Sequence, residues 1–371
     1  MEDAILEVED LHVTYHVYGK DPVKALRGLD FEIKPGDILG LVGESGSGKT
    51  TLARSIMGLV PAPGRIERGR ILFDGEDLTA KSREAMQSIR GRDLTMVVPN
   101  PRAELNPLVP VGRQVANVAR VHLGLSKAQA NRAALEMLQA VKISDPERRF
   151  HTYPHELSGG MAQRVVIAMA LVCSPKFIIS DDATSGLDVT VQAQVLELLN
   201  RLVSEKRTAM LYITRDLGVT AHFCNRLAIV YDGQIVETAN TAELIEYPMH
   251  PYTLMLTTSL PTIGDDRART GLPGSPPSLW DPPQGCRFAR RCPIATELCR
   301  SVEPPLLQHL PGRFSACHYA ESVPQLKETL GKAPKLSEVA KDPAKLFAEV
   351  ESALKLDEVL ETAVKVEEAA R

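Results

Sequence analysis

A mostly apolar run over residues 37–42 leads into Gly43-Glu44-Ser45-Gly46-Ser47-Gly48-Lys49-Thr50, and helical spacing follows over 48–59. Few folds accept a glycine-rich loop held between a buried strand and a helix. The glycines let backbone N–H groups converge on phosphate oxygens. Lys49 adds a point charge for the β- and γ-phosphates, and Thr50 offers a hydroxyl to Mg²⁺. The helix turns its positive N-terminal end toward the same anion. The alternative, a glycine-rich turn that binds nothing, does not explain Lys-Thr in register after an apolar strand. The pattern identifies a nucleotide-binding loop, not a reaction.

The flanking segments give an α/β pattern. Residues 5–15 alternate apolar and polar, as a half-buried strand does, and residues 25–33 read as a second strand ended by Pro35-Gly36. Residues 71–73 form a short strand before an Asp74-Gly75 turn. From 78 to 170 the spacing is mostly helical, with candidates at 82–90, 111–123 and 127–141 and a buried strand at 94–98. Strands and helices then alternate at 177–180, 191–205, 209–213 and 227–231. Such alternation predicts a parallel sheet covered by helices.

Size and charge narrow the class. The 371 residues, 44% hydrophobic, suffice for one large domain with an appendage or for two domains. A net charge of −4 argues against nucleic acid as a partner held by bulk positive charge. Met1-Glu2-Asp3 is not a secretory n-region, and the longest apolar run, 165–173, is too short for a bilayer. A soluble, cytoplasmic chain is expected, with membrane association only through a partner.

Two more segments carry chemistry. Leu157-Ser158-Gly159-Gly160-Met161-Ala162-Gln163-Arg164 opens a helix over 163–172, with Ser158 a good cap and the glycines exposing N–H groups to an anion. Phe177-Ile178-Ile179-Ser180-Asp181-Asp182 is an apolar strand ended by carboxylates, and Asp182-Ala183-Thr184-Ser185-Gly186-Leu187-Asp188 continues it. A carboxylate at such a strand end can hold Mg²⁺ through water.

In this order the segments resemble the nucleotide-binding subunit of ABC transporters. The resemblance implies a P-loop NTPase cassette with a mixed sheet, an antiparallel β subdomain and a helical subdomain at about 78–170. It implies that Gly43, Glu44, Ser45, Gly46, Ser47, Gly48, Lys49, Thr50 and Thr51 hold ATP, and that Thr50 and Asp181 hold Mg²⁺. Tyr15 stands where the family stacks an aromatic on adenine, although a strand-face packing role fits the residue equally well. Asp188 falls in the D-loop. Ser158, Gly159, Gly160 and Gln163 belong to the signature motif, which acts in trans on the γ-phosphate of the opposite subunit. One cassette is present, so a second ATPase subunit is required.

Three positions depart from the family. Asp182 stands for the catalytic Glu, Arg215 for the switch His and Pro99 for the Q-loop Gln. Asp is one methylene shorter than Glu, roughly 1.5 Å of reach, and a misplacement of about 1 Å can cost on the order of 10²-fold in rate. Arg215 cannot accept a hydrogen bond or exchange a proton as His does. Pro99 has neither an amide side chain nor a backbone N–H. The chain is expected to have a weak ATP site of its own while its signature motif completes a competent site on the partner.

Further stretches resemble the dipeptide/oligopeptide import ATPase subunits: Ala103-Glu104-Leu105-Asn106-Pro107, Leu187-Asp188-Val189-Thr190-Val191-Gln192, His250-Pro251-Tyr252-Thr253, Gly285-Cys286-Arg287-Phe288 and Arg291-Cys292-Pro293. The likeness runs from residue 5 to about 320. It implies two transmembrane permease subunits, an extracytoplasmic substrate-binding protein, and a peripheral place on the cytoplasmic face of the membrane. Rival readings are a non-hydrolysing regulatory ATP sensor and a soluble ABC ATPase; the latter would carry two cassettes or a coiled-coil insertion.

Of six cysteines, Cys173 and Cys224 lie in apolar stretches and read as core. Cys286-x5-Cys292-x6-Cys299-x17-Cys317 is a cluster. In a reducing compartment four thiols favour metal or iron–sulfur ligation over disulfides. In the resembling subunits four such cysteines can hold an iron–sulfur cluster, which the resemblance implies here. Zn²⁺ and unligated thiols are the alternatives, the zinc ribbon being weakened by the lack of Cys-x-x-Cys. The nearby Arg290, Arg291 and Arg300 are expected to be solvated. The expected domains are a cassette at 1–260, a Pro/Cys-rich extension at 261–320 and a helical tail at 321–371. Asp342-Pro343 marks a helix start in that tail, which either docks on the domain or binds a partner.

Overall fold

The half-buried alternation at the N-terminus builds an antiparallel sheet. The computed structural model describes residues 3–184, 187–259, 274–277, 280 and 282–330, and the chain divides into two compact units. The first comprises residues up to 41, 48–215 and 223–225. It opens with β1 (Leu6–Tyr15) and β2 (Val23–Ile33), passes through β3 (Ile38–Val42) and α1 (Lys49–Ile56), and returns in β4 (Gly64–Phe73) and β5 (Glu76–Asp77). These strands order as β2-β1-β4-β5, all antiparallel. In β4 only Ile71 and Phe73 are buried. The charged residues before them conceal the strand from a hydrophobic-pattern reading, so it begins at Gly64 and not at 71.

A helical stretch follows: α2 (Arg83–Ile89), β6 (Leu94–Val97), α3 (Pro101–Glu104), α4 (Val111–Leu123), α5 (Lys127–Ala140), α6 (Pro146–Phe150) and α7 (Gly159–Leu171). Ser82 caps α2 by accepting from the Ala85 N–H. A Ser126/Gln129 capping box starts α5. Helix α7 contacts α3, α4 and α5 and buries Val165, Val166, Ile167 and Ala168 in succession. An all-round apolar surface of this kind marks a helix enclosed by its neighbours. It starts at Gly159, four residues before the expected start, because Ser158 caps it and the glycines already take helical dihedrals.

The unit closes with β7 (Phe177–Asp181), α8 (Val189–Lys206) and β8 (Ala209–Thr214). Strands β6, β7 and β8 pair in parallel, and β3 lies beside β8. Every residue of β7 and β8 is buried, as expected for parallel strands covered on both faces.

The second unit contains residues 42–47, 216–222 and 226 onward. Its elements are α9 (Leu217–Thr220), β9 (Arg226–Tyr231), β10 (Gln234–Asn240), α10 (Thr241–Glu246), α11 (Pro251–Thr258), α12 (Glu297–Ser301), β11 (Leu307–Leu310), β12 (Arg313–Ser315) and α13 (Val323–Leu330). Strands β9, β10, β12 and β11 are neighbours in that order and antiparallel. Its core holds the rings of Tyr231, Tyr252 and Phe288 and a cluster of Leu254, Ile294, Val323 and Leu326. The helices expected after Asp342-Pro343, and residues 261–273, 278–279 and 281 of the expected extension, lie outside the described residues.

Candidate functional site

At the start of the phosphate loop only glycine fits. A Cβ on Gly43 would stand 2.2 Å from the Val230 carbonyl oxygen and 2.8 Å from Ser47 Oγ. Gly46 and Gly48 take positive φ of 84° and 102°, which L side chains resist. The Ser47 N–H donates to the Glu44 carbonyl at 3.2 Å, and the Ser47 carbonyl accepts from the Gly233 N–H at 3.0 Å. Lys49 opens α1 and is buried, and among the described residues no side chain caps that helix start. First-turn N–H groups without a capping side chain are the donors an anion needs.

Asp181 ends β7, buried. Burial pushes its carboxyl up, opposed by a hydrogen bond from the Thr50 hydroxyl and by the Lys49 charge. Thr50, Lys49 and Asp181 therefore converge, as a Mg²⁺–phosphate site requires. The parallel register sets Val97 beside Ser180 and Ser180 beside Tyr212. That register carries Pro99, Asp182 and Arg215 to the same carboxyl-terminal edge of β6, β7 and β8, where open α/β sheets bind ligands. Pro99 is exposed. Asp182 has a positive φ of 48°, and its N–H donates to the Ile213 carbonyl at 2.8 Å. The exposed Arg215 reaches the Asp182 carboxylate at 3.4 Å.

In the signature segment Ser158 Oγ accepts from the Met161 N–H at 3.3 Å, and Arg102 donates to the Leu157 carbonyl at 3.1 Å. A Cβ on Gly160 would stand 2.7 Å from Val191 Cγ1, so the second glycine is required by α8. Gln163 is only 1% exposed, and its Nε2 has no hydrogen-bond partner among the described residues. It is enclosed within this chain, unlike Ser158. Asp188 caps α8 through the Val191 N–H at 2.9 Å; Ser185 and Gly186 lie outside the described residues. Tyr15 ends β1 half-buried, with its ring across the Gly64 backbone.

Comparison with known proteins decides the family. The ABC transporter family matches residues 26–185, and the oligopeptide/dipeptide transporter C-terminal region matches 236–299. The oligopeptide transport ATP-binding protein OppD of Bacillus subtilis is 44% identical over 321 residues, covering 86% of this chain and 88% of that one. The chain belongs to the ATP-binding proteins of the oligopeptide/dipeptide ABC transporters. The dipeptide transport ATP-binding protein DppD of Escherichia coli is similar at 40% over 317 residues, 85% of this chain and 97% of its own. Among solved structures, the ATP-binding cassette MJ0796 in a dimeric, post-hydrolysis state with ADP and Pi is similar with a TM-score of 0.58. It is 26% identical and covers 64% of this chain and 98% of its own.

The region that sets this transporter group apart also holds what the sequence reading missed. Arg291, expected to be solvated, is buried, whereas Arg290 and Arg300 are exposed. Its guanidinium grips the Glu44 carboxylate at 2.6 and 3.1 Å and donates to the Tyr231 hydroxyl at 3.1 Å. Burial alone would lower its pKa; the bonds to Glu44 and Tyr231 raise it instead. The Tyr252 hydroxyl accepts from the Glu44 N–H at 3.0 Å. A partner 247 residues away leaves no local signal.

All four clustered cysteines, free thiols, line one pocket with Phe288, Ile294 and Tyr319. Burial, reinforced by the neighbouring thiols, pushes Cys286 up to about 11, Cys317 up to about 12, and Cys292 well above its ordinary value. Among the described residues no three His, Cys, Asp or Glu side chains are grouped to hold one metal ion. A tetrahedral zinc, with sulfurs about 2.3 Å from one centre, does not suit that arrangement. Cys173 and Cys224 are buried core residues, as expected. No helix among the described residues is long and apolar enough to cross a membrane.

Proposed function

We propose that this chain is the ATP-binding subunit of a heteromeric ABC importer for peptides, seated on the cytoplasmic face of the membrane. The convergence of Thr50, Lys49 and Asp181 carries the nucleotide reading. The transport reading is supported by relatives that are named as oligopeptide and dipeptide transport ATP-binding proteins. The working unit pairs this chain with a second ATPase subunit, two transmembrane permeases and an extracytoplasmic substrate-binding protein. Residues 1–260 act as the cassette, 261–320 as the extension and 321–371 as a tail. Pro99 to Pro107 lies near the permease contact.

Each chain of such a pair lends its signature to the other's nucleotide. Here Ser158, Gly159 and Gly160 serve the partner's site, which is the competent one. This chain's own site binds Mg–ATP through residues 43–51, with Tyr15 against the adenine and Asp181 at the metal. It turns over slowly, because Asp182, Arg215 and Pro99 neither orient water nor relay a proton as the family's Glu, His and Gln do. The Arg215–Asp182 contact supports this reading, since it engages the one carboxylate left to polarise water. It equally supports a second reading, a regulatory subunit that senses ATP without hydrolysing it.

Cys286, Cys292, Cys299 and Cys317 would hold an iron–sulfur cluster. Four thiols on one pocket with apolar walls fit a multinuclear group, which spreads its ligands wider than a single ion does. The cluster would act as a structural staple for a Pro-rich segment with little core of its own.

The deciding experiment is ATP turnover by the isolated chain and by the chain mixed with its cognate second cassette. Activity only in the mixture is expected. Robust turnover by this chain alone would overturn the weak-site reading.

A further inference from the structure

Two arginines flank Phe288 in the cysteine-bearing turn, and both reach back toward the phosphate loop. Arg291 holds the Glu44 carboxylate in a two-point contact. Arg287 lies 3.5 Å from the Asp232 carboxylate, and the next residue, Gly233, donates its N–H to the Ser47 carbonyl. The first half of the loop, residues 43–47, is thus tied at both ends to one turn of the extension. Between these ties stand Tyr231 and Tyr252, packed on Phe288 with ring centroids 5.3 and 5.4 Å away. Tyr231 accepts from Arg291, and Tyr252 accepts from the Glu44 N–H. The opposite side of the turn is a cysteine wall: Phe288, Ala289 and Cys292 all line the cysteine pocket.

We propose that Arg291 is a positioning residue for the phosphate loop, through which the folded state of the cysteine pocket sets the affinity for nucleotide. The inference rests on the reading that this loop binds ATP. Phosphate affinity depends on how many loop N–H groups already point at the anion, because each one ordered on binding costs conformational entropy. A planar guanidinium bonded to both carboxylate oxygens fixes the direction of Glu44 as well as its distance. The Tyr252 hydroxyl fixes the Glu44 peptide plane from the other side. Lysine would restore the charge but not the two-point geometry. A cysteine turn that opens would withdraw Arg291, and the loop would lose its preorganisation while every phosphate-contacting residue stayed in place.

The test uses the full-length chain and titration with a fluorescent Mg–ATP analogue, with R291Q, R291K, E44Q and the R291Q/E44Q pair. R291Q and E44Q are each expected to weaken binding by about tenfold. The double variant should be no weaker than either single one, since one contact is being removed, and R291K should fall between R291Q and wild type. Melting temperature and reactivity of the four thiols toward a thiol reagent report the extension separately. Wild-type affinity in R291Q, or losses that add in the double variant, would overturn the proposal. So would R291Q affinity that falls only at temperatures where thiol reactivity shows the extension melted. If R291Q does not fold, R291K and E44Q carry the same comparison. A wild-type chain that binds no nucleotide overturns the ATP reading itself, a result distinct from equal binding by wild type and variants.

Discussion

The Arg215 guanidinium stands 3.4 Å from the Asp182 carboxylate. Two of the three residues on which the proposed weak site rests are thus partners of each other. The pair is partly exposed, with side-chain accessibilities of 60% and 27%, so it adds little to stability. Its consequence is geometric: the guanidinium lies against the carboxylate to which the proposed function assigns the attacking water.

Reverting one member should therefore accomplish little. With the partner's site silenced, D182E alone and R215H alone are expected to raise turnover at this site only slightly. D182E/R215H should exceed the product of the single effects, and adding P99Q should bring the gain to on the order of 10²-fold. Steady-state phosphate release measures this. No gain in the triple variant would sink the weak-site reading.

The signature motif gives a separable prediction. S158R places a bulky cation where Ser158 now caps α7. Turnover in the mixture with the second cassette should be lost, while nucleotide binding by this chain alone is unchanged. Equal binding with intact turnover would show that the motif does not act in trans.

The close approach at Gly43 forbids a methyl group. G43A must shift the loop or β9, because the added Cβ would overlap the Val230 carbonyl oxygen at 2.2 Å. Equilibrium binding of Mg–ATP should weaken by at least about tenfold, a cost of roughly 1.4 kcal/mol. Far-ultraviolet circular dichroism should stay the same.

The proposed iron–sulfur cluster has a direct test. Chain purified without oxygen should be brown and contain iron, and C292S should lose both colour and iron. Its melting temperature should drop by several degrees, as for a loss of about 1–2 kcal/mol in a domain of this size. Colourless wild-type protein with four readily titrated thiols would end the iron–sulfur reading.

Glu237 in β10 makes stability depend on pH. Burial pushes its carboxyl up to about 7, despite N–H donation from Met249 and His250 at 2.7 and 2.9 Å and the Arg313 charge. The folded pKa is raised above the unfolded value of 4.5, so the folded state binds more protons between the two, and stability falls as pH rises through about 4.5 to 7. Buried His250 acts in the opposite direction. Its pKa is lowered to about 3 by burial, so its contribution is lost as pH falls below 6.5. Glu237→Gln isolates the carboxyl. The stability of wild type minus that of E237Q should decline from pH 4.5 to 7 by on the order of 3 kcal/mol. Denaturant titrations across that range measure it, and a constant difference would contradict the buried-carboxyl account.

The strands and helices of the cassette were legible where a single physical signal dominated. Val111–Leu123 was bounded correctly because its apolar spacing is regular and Gly124 takes the left-handed conformation that ends it. β7 opens with the apolar run 177–179 and β8 with 209–213, the pattern of strands covered on both faces. The first half of β4 was hidden because its face is charged and exposed. The elements after residue 231 are not legible in the sequence, because strands and helices of three to eight residues have no period long enough to read.

The sequence by itself determined the family, and it located the glycine-rich loop, the carboxylate ending β7 and the Ser-Gly-Gly helix start, because these depend on residue types at fixed local spacing. Glycine at a left-handed turn, lysine at a helix start and a carboxylate ending an apolar strand are constrained by the backbone within a few residues. Only the tertiary structure decided that Arg215 meets Asp182, that Gln163 is enclosed, that four spaced cysteines share one pocket and that Arg291 is buried against Glu44. The two ion pairs among them join residues 33 and 247 positions apart. A charged side chain is soluble or buried according to whether the folded chain brings it an opposite charge, and no local pattern carries that information.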